Sequence, residues 1–265
     1  MPILHIIVLA LIQGLTEFLP VSSSAHLILG SRVMGWEDQG LVFDVATHLG
    51  TLFAVLVYFR QELLSMLRAC TAKVHGEAAR HRRSMVIYLA LASIPALAAG
   101  ALAHDLVEFH LRDVRVIAVS TLVFGLVLWW ADRVGKRVKT VAAMSMGPAL
   151  LIGLAQSLAL VPGVSRSGIT ITAGRFLGFA PADAARFSFL LAIPIIGAAG
   201  AYGALKVALG ETPIDWLQFF MAAGFAAIAG WACIAVFLAL LQRVGLLPFI
   251  LYRLALGVVL VWWVL

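Results

Sequence analysis

Glu17, His26 and Arg166 are ionisable residues inside otherwise apolar stretches of this 265-residue chain. A charge at membrane depth is costly, so each is first a candidate for function. Gln13 and Glu17 are four apart and share one helical face. That face offers oxygen ligands to a hard divalent cation, or a proton acceptor to a substrate; it equally suits a polar pair that joins neighbouring helices. Ser22, Ser23, Ser24 and His26 follow Pro20. Hydroxyls beside an imidazole supply a nucleophile and a base or acid. The same serines suit the N-cap of a second short helix, whose free N–H groups also attract phosphate.

The second constellation runs Pro162-Gly163-Val164-Ser165-Arg166-Ser167-Gly168-Ile169-Thr170. The glycines permit close backbone approach. The Arg166 guanidinium suits forked phosphate recognition, and Ser165, Ser167 and Thr170 add hydroxyls to the N–H groups of a following helix. An arginine at this depth needs an anionic partner, either a ligand or Glu17. Other polar residues point to lesser roles. Asp44 and His48 either support the site from behind or pair with each other, the second being the simpler reading, and Asp183 and Arg186 are read as cap and interface residues. His75, His81 and Arg80 to Arg83 read as a solvated loop, and Cys70 and Cys233 as unpaired structural cysteines.

The elements that hold these groups follow from composition. The chain is 63% hydrophobic and 12% charged, against roughly 25% charged in a soluble domain. It needs lipid as part of its solvent. Ten of its 19 Lys and Arg fall in two stretches, Arg60–Arg83 and Arg133–Lys139. That clustering fits cytoplasmic loops and gives no nucleic-acid signal. Trp129, Trp130, Trp216, Trp262 and Trp263 suit an interfacial belt. No cleavable signal peptide is evident, because the first apolar stretch lacks a basic leader and runs into Gln13 and Glu17.

Six segments are expected to span: 41–59, 84–103, 114–131, 182–203, 216–241 and 248–265. Residues 2–33 and 146–177 are apolar but interrupted, and irregular backbone at membrane depth must be covered by protein or line a wet cavity. Both read as re-entrant helix hairpins. The expected fold is an all-α polytopic membrane protein, one integral domain over 1–265. It divides into pseudo-repeats of about 1–131 and 146–265, each a hairpin plus three transmembrane helices. With the basic stretches inside, both termini lie outside and the hairpins enter from opposite sides. That is an inverted repeat. Gln13 precedes Ser22 by nine residues, as Gln156 precedes Ser165; Pro20 precedes Ser23 by three, as Pro162 precedes Ser165.

The run from Gln13 to His26, with Pro162 to Thr170 and Phe187 to Pro194, resembles the undecaprenyl-diphosphatase family, the bacitracin-resistance type of lipid pyrophosphatase. The resemblance covers the whole chain. Glu17, Ser23, His26, Ser165, Arg166 and Thr170 match its motifs; Gln13 stands where the family has Glu or Gln, and Ala25 where Gly is frequent. It implies hydrolysis of undecaprenyl diphosphate to the monophosphate, recycling the carrier of cell-wall precursors and conferring bacitracin resistance. It further implies a divalent cation (Mg2+ or Ca2+), homodimers, and a bacterial inner-membrane location with the site open to the periplasm. On this reading Arg166, Ser165, Ser167 and Thr170 hold phosphate, and Glu17 either serves the cation with Gln13 or orients the nucleophile. Ser23 attacks phosphorus or positions water, and His26 transfers a proton. The rival expectation is a carrier that flips a polyprenyl phosphate, which needs the arginine and the helix N-termini but no nucleophile.

Overall fold

The structure, a computed structural model, describes residues 2–36, 40–71, 76–102, 113–210 and 214–264. His75 of the basic stretch lies outside the described residues, as do the final residues of the expected spans 84–103 and 248–265. In order the helices are α1 Ile3–Glu17, α2 Ser23–Met34, α3 Gly40–Tyr58, α4 Arg60–Thr71, α5 Glu77–Leu102 and α6 Val114–Val134. They continue with α7 Met146–Gln156, α8 Arg166–Phe176, α9 Pro181–Leu209, α10 Trp216–Val244 and α11 Leu247–Val264. Among the described residues there is no β-strand beyond one isolated bridge, Lys139 to Phe179. Five helices, α3, α5, α6, α9 and α10, are long and apolar enough to cross a bilayer. The sixth expected span is the shorter helix α11. The chain is an all-α, multi-pass membrane protein.

The stretch expected as a polar loop, 60–83, is largely helical instead. Leu63, Met66, Leu67 and Cys70 recur at helical spacing and outweigh the charges that dominate a first reading. Helix α4 buries Met66 and Ala69 and exposes Leu64 and Leu67, the pattern of a helix lying along a membrane surface. Arg186 on α9 ties it down through Glu62, at 2.5 Å from Nη2 to Oε2. The five tryptophans of the expected belt are all exposed.

The two interrupted segments form helix–break–helix hairpins. Prolines 20 and 162 stand in the breaks, where a missing N–H is tolerated. Each second arm starts at a serine in a left-handed conformation, Ser22 (φ 72°, ψ 97°) and Ser165 (φ 68°, ψ 118°). Such a backbone is uncommon for a residue with a Cβ. Each hydroxyl accepts the N–H three residues on, Ala25 at 3.4 Å and Gly168 at 3.1 Å. The serines thus act as N-caps. The register that matches the two breaks is the one aligning Gln13 with Gln156 and Ser22 with Ser165.

The first arms pack crosswise: α1 lies on α10, and α7 lies on α5. Both contacts use a glycine. A Cβ on Gly14 would sit 2.6 Å from the Ala229 Cβ and 2.9 Å from the Gly230 nitrogen, and one on Gly153 would strike the Ala92 carbonyl. Small residues at such crossings let backbones approach where no hydrophobic force drives helices together in lipid. Gly14→Val and Gly153→Val are each expected to cost about 1–3 kcal/mol, read as lowered melting temperatures in detergent. Gly224→Val, where nothing lies within 4 Å of an added Cβ, is the control. Parental melting of the first two variants would refute the close approach. The core between the hairpins and the long helices holds Phe18, Phe187, Phe189 and Phe237, all buried, with Phe18 and Phe189 meeting edge to face at 5.3 Å.

Candidate active site

The two breaks touch. Ser167 donates to the Leu19 carbonyl at 2.6 Å, and Ser165 reaches the same oxygen at 3.5 Å. Between the breaks and the long helices lies a cavity of about 330 Å³. Glu17, Ser22, Ser23 and Ser24 line it from the first hairpin, and Gln156, Ser165 and Arg166 from the second; His48, Ala96, Ile195 and Ile196 close it. Pro95 and Pro194, inside α5 and α9, each precede one of those closing residues.

Glu17 is the hub. Its Oε2 accepts the Ser23 hydroxyl at 2.8 Å and the Gln13 amide at 3.0 Å, and its Oε1 accepts Arg166 Nη2 at 3.2 Å. Both side chains of that ion pair are nearly buried, 8% and 11% exposed, so each charge depends on the other. Arg166 also donates from Nη1 to the Ser188 carbonyl at 3.1 Å. A hydroxyl that donates to a buried carboxylate is a nucleophile beside its base. A guanidinium beside both offers positive charge of the kind that phosphoryl transfer uses.

His48 belongs to this network. Its Nδ1 donates to the Asp44 main-chain carbonyl at 2.7 Å, and its Nε2 lies 3.4 Å from the Gln13 amide nitrogen. The expected Asp44–His48 pairing is therefore a helix-backbone bond, which turns the other ring nitrogen towards the site. His26 is placed differently from expectation. Its Nδ1 donates to the Ser22 carbonyl and its Nε2 accepts the Tyr252 hydroxyl, both at 2.7 Å. It stacks on Tyr252 and is not part of the cavity lining. Tyr252 on α11 takes up its ring, by stacking and by the hydrogen bond.

The expected phosphate cradle divides in the same way. Ser165 and Arg166 line the cavity. Ser167 is buried against Leu19, and the fully buried Thr170 bonds the Arg166 and Ser167 carbonyls and the Ser188 hydroxyl. Helical phase turns these two hydroxyls into the protein, where they fasten α8 to the first break and to α9.

Two buried arginines that the sequence reading does not single out fasten this region, and one of them holds the breaks. Arg253 on α11 is wholly buried. It donates to the carbonyls of Pro20 (3.2 Å), Gly163 (2.8 Å), Val164 (2.6 Å) and Thr121 (3.1 Å). Arg175, also fully buried, bonds Asp132 at 2.9 Å and the carbonyls of Gly135 and Phe179, anchoring the end of α8 to α6. A lone arginine inside the apolar stretch 248–265 was the available signal for the first.

Four buried polar atoms have no partner among the described residues: Gln13 Oε1, both amide atoms of Gln156, and Arg166 Nε. Each such group left unsatisfied costs about 1–3 kcal/mol, and all four belong to this site. No group of three or more His, Cys, Asp or Glu is clustered to hold a metal among the described residues. One carboxylate with a free amide oxygen beside it matches the sparse protein share of a Mg2+ site completed by phosphate and water.

A family model described as "Bacitracin resistance protein BacA" matches residues 6–259. The chain is 51% identical over 258 residues to undecaprenyl-diphosphatase 1 of Pseudoalteromonas translucida (strain TAC 125), covering 97% of each protein. It is 50% identical over 260 residues to the undecaprenyl-diphosphatase of Teredinibacter turnerae, covering 98% of each. It is 50% identical over 257 residues to that of Saccharophagus degradans, covering 97% of this chain and 96% of that protein. With nearly its whole length matched by the family model and by relatives about half identical to it, the chain belongs to the bacitracin resistance protein BacA family.

Proposed function

We propose that this protein hydrolyses undecaprenyl diphosphate to undecaprenyl phosphate and inorganic phosphate, recycling the lipid carrier of cell-wall synthesis and so conferring bacitracin resistance. One observation carries the reading: a single carboxylate, Glu17, joins the Ser23 hydroxyl to the Arg166 guanidinium where the two breaks meet. A carrier that only flips a lipid phosphate has no use for a hydroxyl held against a base.

In this mechanism the diphosphate enters the cavity with its prenyl tail along the apolar helices. Arg166 neutralises the phosphate oxygens and Ser165 orients them. Glu17 takes the Ser23 proton as Oγ bonds to the terminal phosphorus, and the bridging P–O bond breaks towards the departing lipid monophosphate. Glu17 passes that proton to the departing lipid phosphate; water then attacks the phosphoserine, Glu17 accepts the water proton, and it returns that proton to Oγ as inorganic phosphate leaves. Thr170 acts by holding the Arg166 main chain, Ser167 by fastening α8 to Leu19 of the first break, and His26 by fixing the Ser22 carbonyl. A divalent cation, Mg2+ or Ca2+, would be held by Glu17 and the free Gln13 Oε1, and supplies further charge neutralisation when bound. We place the protein in the bacterial inner membrane, as a homodimer, with the site open to the periplasm. The halves form an inverted repeat, a reading supported by the matched serines and by the crosswise packing of α1 on α10 and α7 on α5.

The test is phosphate release from undecaprenyl diphosphate by purified protein, with and without chelator. Ser23→Ala is expected to lower turnover at least about 10³-fold, and brief incubation of the parent with labelled substrate to leave label on Ser23. Full activity in Ser23→Ala would eliminate the covalent route and leave direct attack by water. No phosphate release by the parent, with lipid movement in vesicles, would favour the carrier.

A further inference from the structure

The aligned breaks place Gln156 where the first hairpin has Gln13. The two amides have different surroundings. Gln13 spends its nitrogen on Glu17 and on His48. Four residues beyond Gln156 the chain has Leu160, where the first hairpin has Glu17, so Gln156 has no carboxylate to hold. It is 2% exposed, it lines the cavity, and neither its Nε2 nor its Oε1 has a partner among the described residues. Helix α7 ends at this residue and tightens into the turn Ser157–Leu160, which sets the amide at the cavity wall. Nothing in the packing calls for a polar group there, and a leucine would fill the same wall without an unpaired donor or acceptor.

We infer that Gln156 is a substrate-binding residue whose amide N–H donates to a phosphate oxygen of the diphosphate, alongside the equally unpartnered Arg166 Nε. The inference rests on the proposed phosphatase reading of this cavity. The anion satisfies both donors at once, and its hydration water or a hydrated cation supplies a donor to Oε1. The second hairpin then contributes three phosphate contacts, Gln156, Ser165 and Arg166, while the first contributes the base and the nucleophile.

Gln156→Leu is expected to raise KM for the prenyl diphosphate about 10- to 100-fold, the range for one hydrogen bond to a charged group, with kcat nearly kept. Inhibition by inorganic pyrophosphate should weaken by a similar factor. Because the substitution removes a buried unpaired amide, the variant should melt at or above the parental temperature in detergent. Gln156→Glu, which keeps the volume and exchanges the donor for an acceptor, should raise KM at least as much. Parental KM and parental pyrophosphate inhibition in either variant would overturn the inference. So would a Gln156→Leu protein that melts well below the parent while Gln156→Glu binds pyrophosphate normally, since that marks a purely structural amide. Arg166→Ala, assayed in parallel, separates the two levels. If it too hydrolyses normally, the site has been misplaced; if it is inactive while the Gln156 variants are parental, only the role of Gln156 fails.

Discussion

Arg166→Ala is expected to reduce hydrolysis about 10³-fold or more, mostly in kcat, because in the proposed mechanism the charge it removes neutralises the phosphate being transferred. The effect has two parts. Arg166 is the first residue of α8, set by the strained cap at Ser165, and its fork is divided between Glu17 and the Ser188 carbonyl. Its loss withdraws the cation from the substrate. It also leaves the Glu17 carboxylate, 8% exposed, with only neutral donors, an arrangement that ordinarily costs several kcal/mol. Arg166→Lys separates the parts. An ammonium restores the charge but cannot reach Glu17 and Ser188 in one plane, so stability should return further than activity. Near-normal phosphate release by a well-folded Arg166→Ala protein would refute the assignment.

Much of this site was legible from residue types. Glu17, Ser23 and Arg166 stood out because ionisable and nucleophilic groups are rare in apolar segments, and they do converge on one cavity. The helices were legible for the same reason: long apolar runs in a chain with so little charge leave few other folds. Direction was not legible. Helical spacing puts Ser23 with His26, and Arg166 with Thr170, on one side of each helix; which of each pair lines the cavity depends on the neighbours packed there, Tyr252 for His26 and Ser188 for Thr170. Hence His26 and Thr170 matched a motif yet serve neighbouring elements. The polar stretch after Arg60 was misread because its charges masked an apolar face four residues in period. His48 was discounted because its carboxylate neighbour was visible in sequence, whereas Gln13, 35 positions away, was not.

Arg253 accounts for how two irregular breaks survive at membrane depth, and its replacement carries the second large expectation. Carbonyls released by a break have no water to bond in lipid and must be answered by protein. The Arg253 guanidinium answers Pro20 in the first break and Gly163 and Val164 in the second, with Thr121 of α6 as its base. One planar group with five donors does this in a fixed geometry; no other side chain has that inventory. Its charge is met by carbonyl dipoles and not by a carboxylate. Gly168 makes room for it, since an added Cβ there would lie 2.5 Å from the Arg253 Nη1. Arg253→Met keeps the length of the side chain and removes all four bonds, so the expected loss is about 4 kcal/mol or more, with hydrolysis falling because Glu17 and Arg166 are no longer held together. Arg253→Lys, with charge but no fork, should fall between. Hydrogen exchange gives the decisive observation: the backbone around residues 20–24 and 162–167 should lose protection together, since one group restrains both. Parental melting, or loss of protection in only one break, would show that the two breaks are secured separately and that Arg253 is merely buried between them.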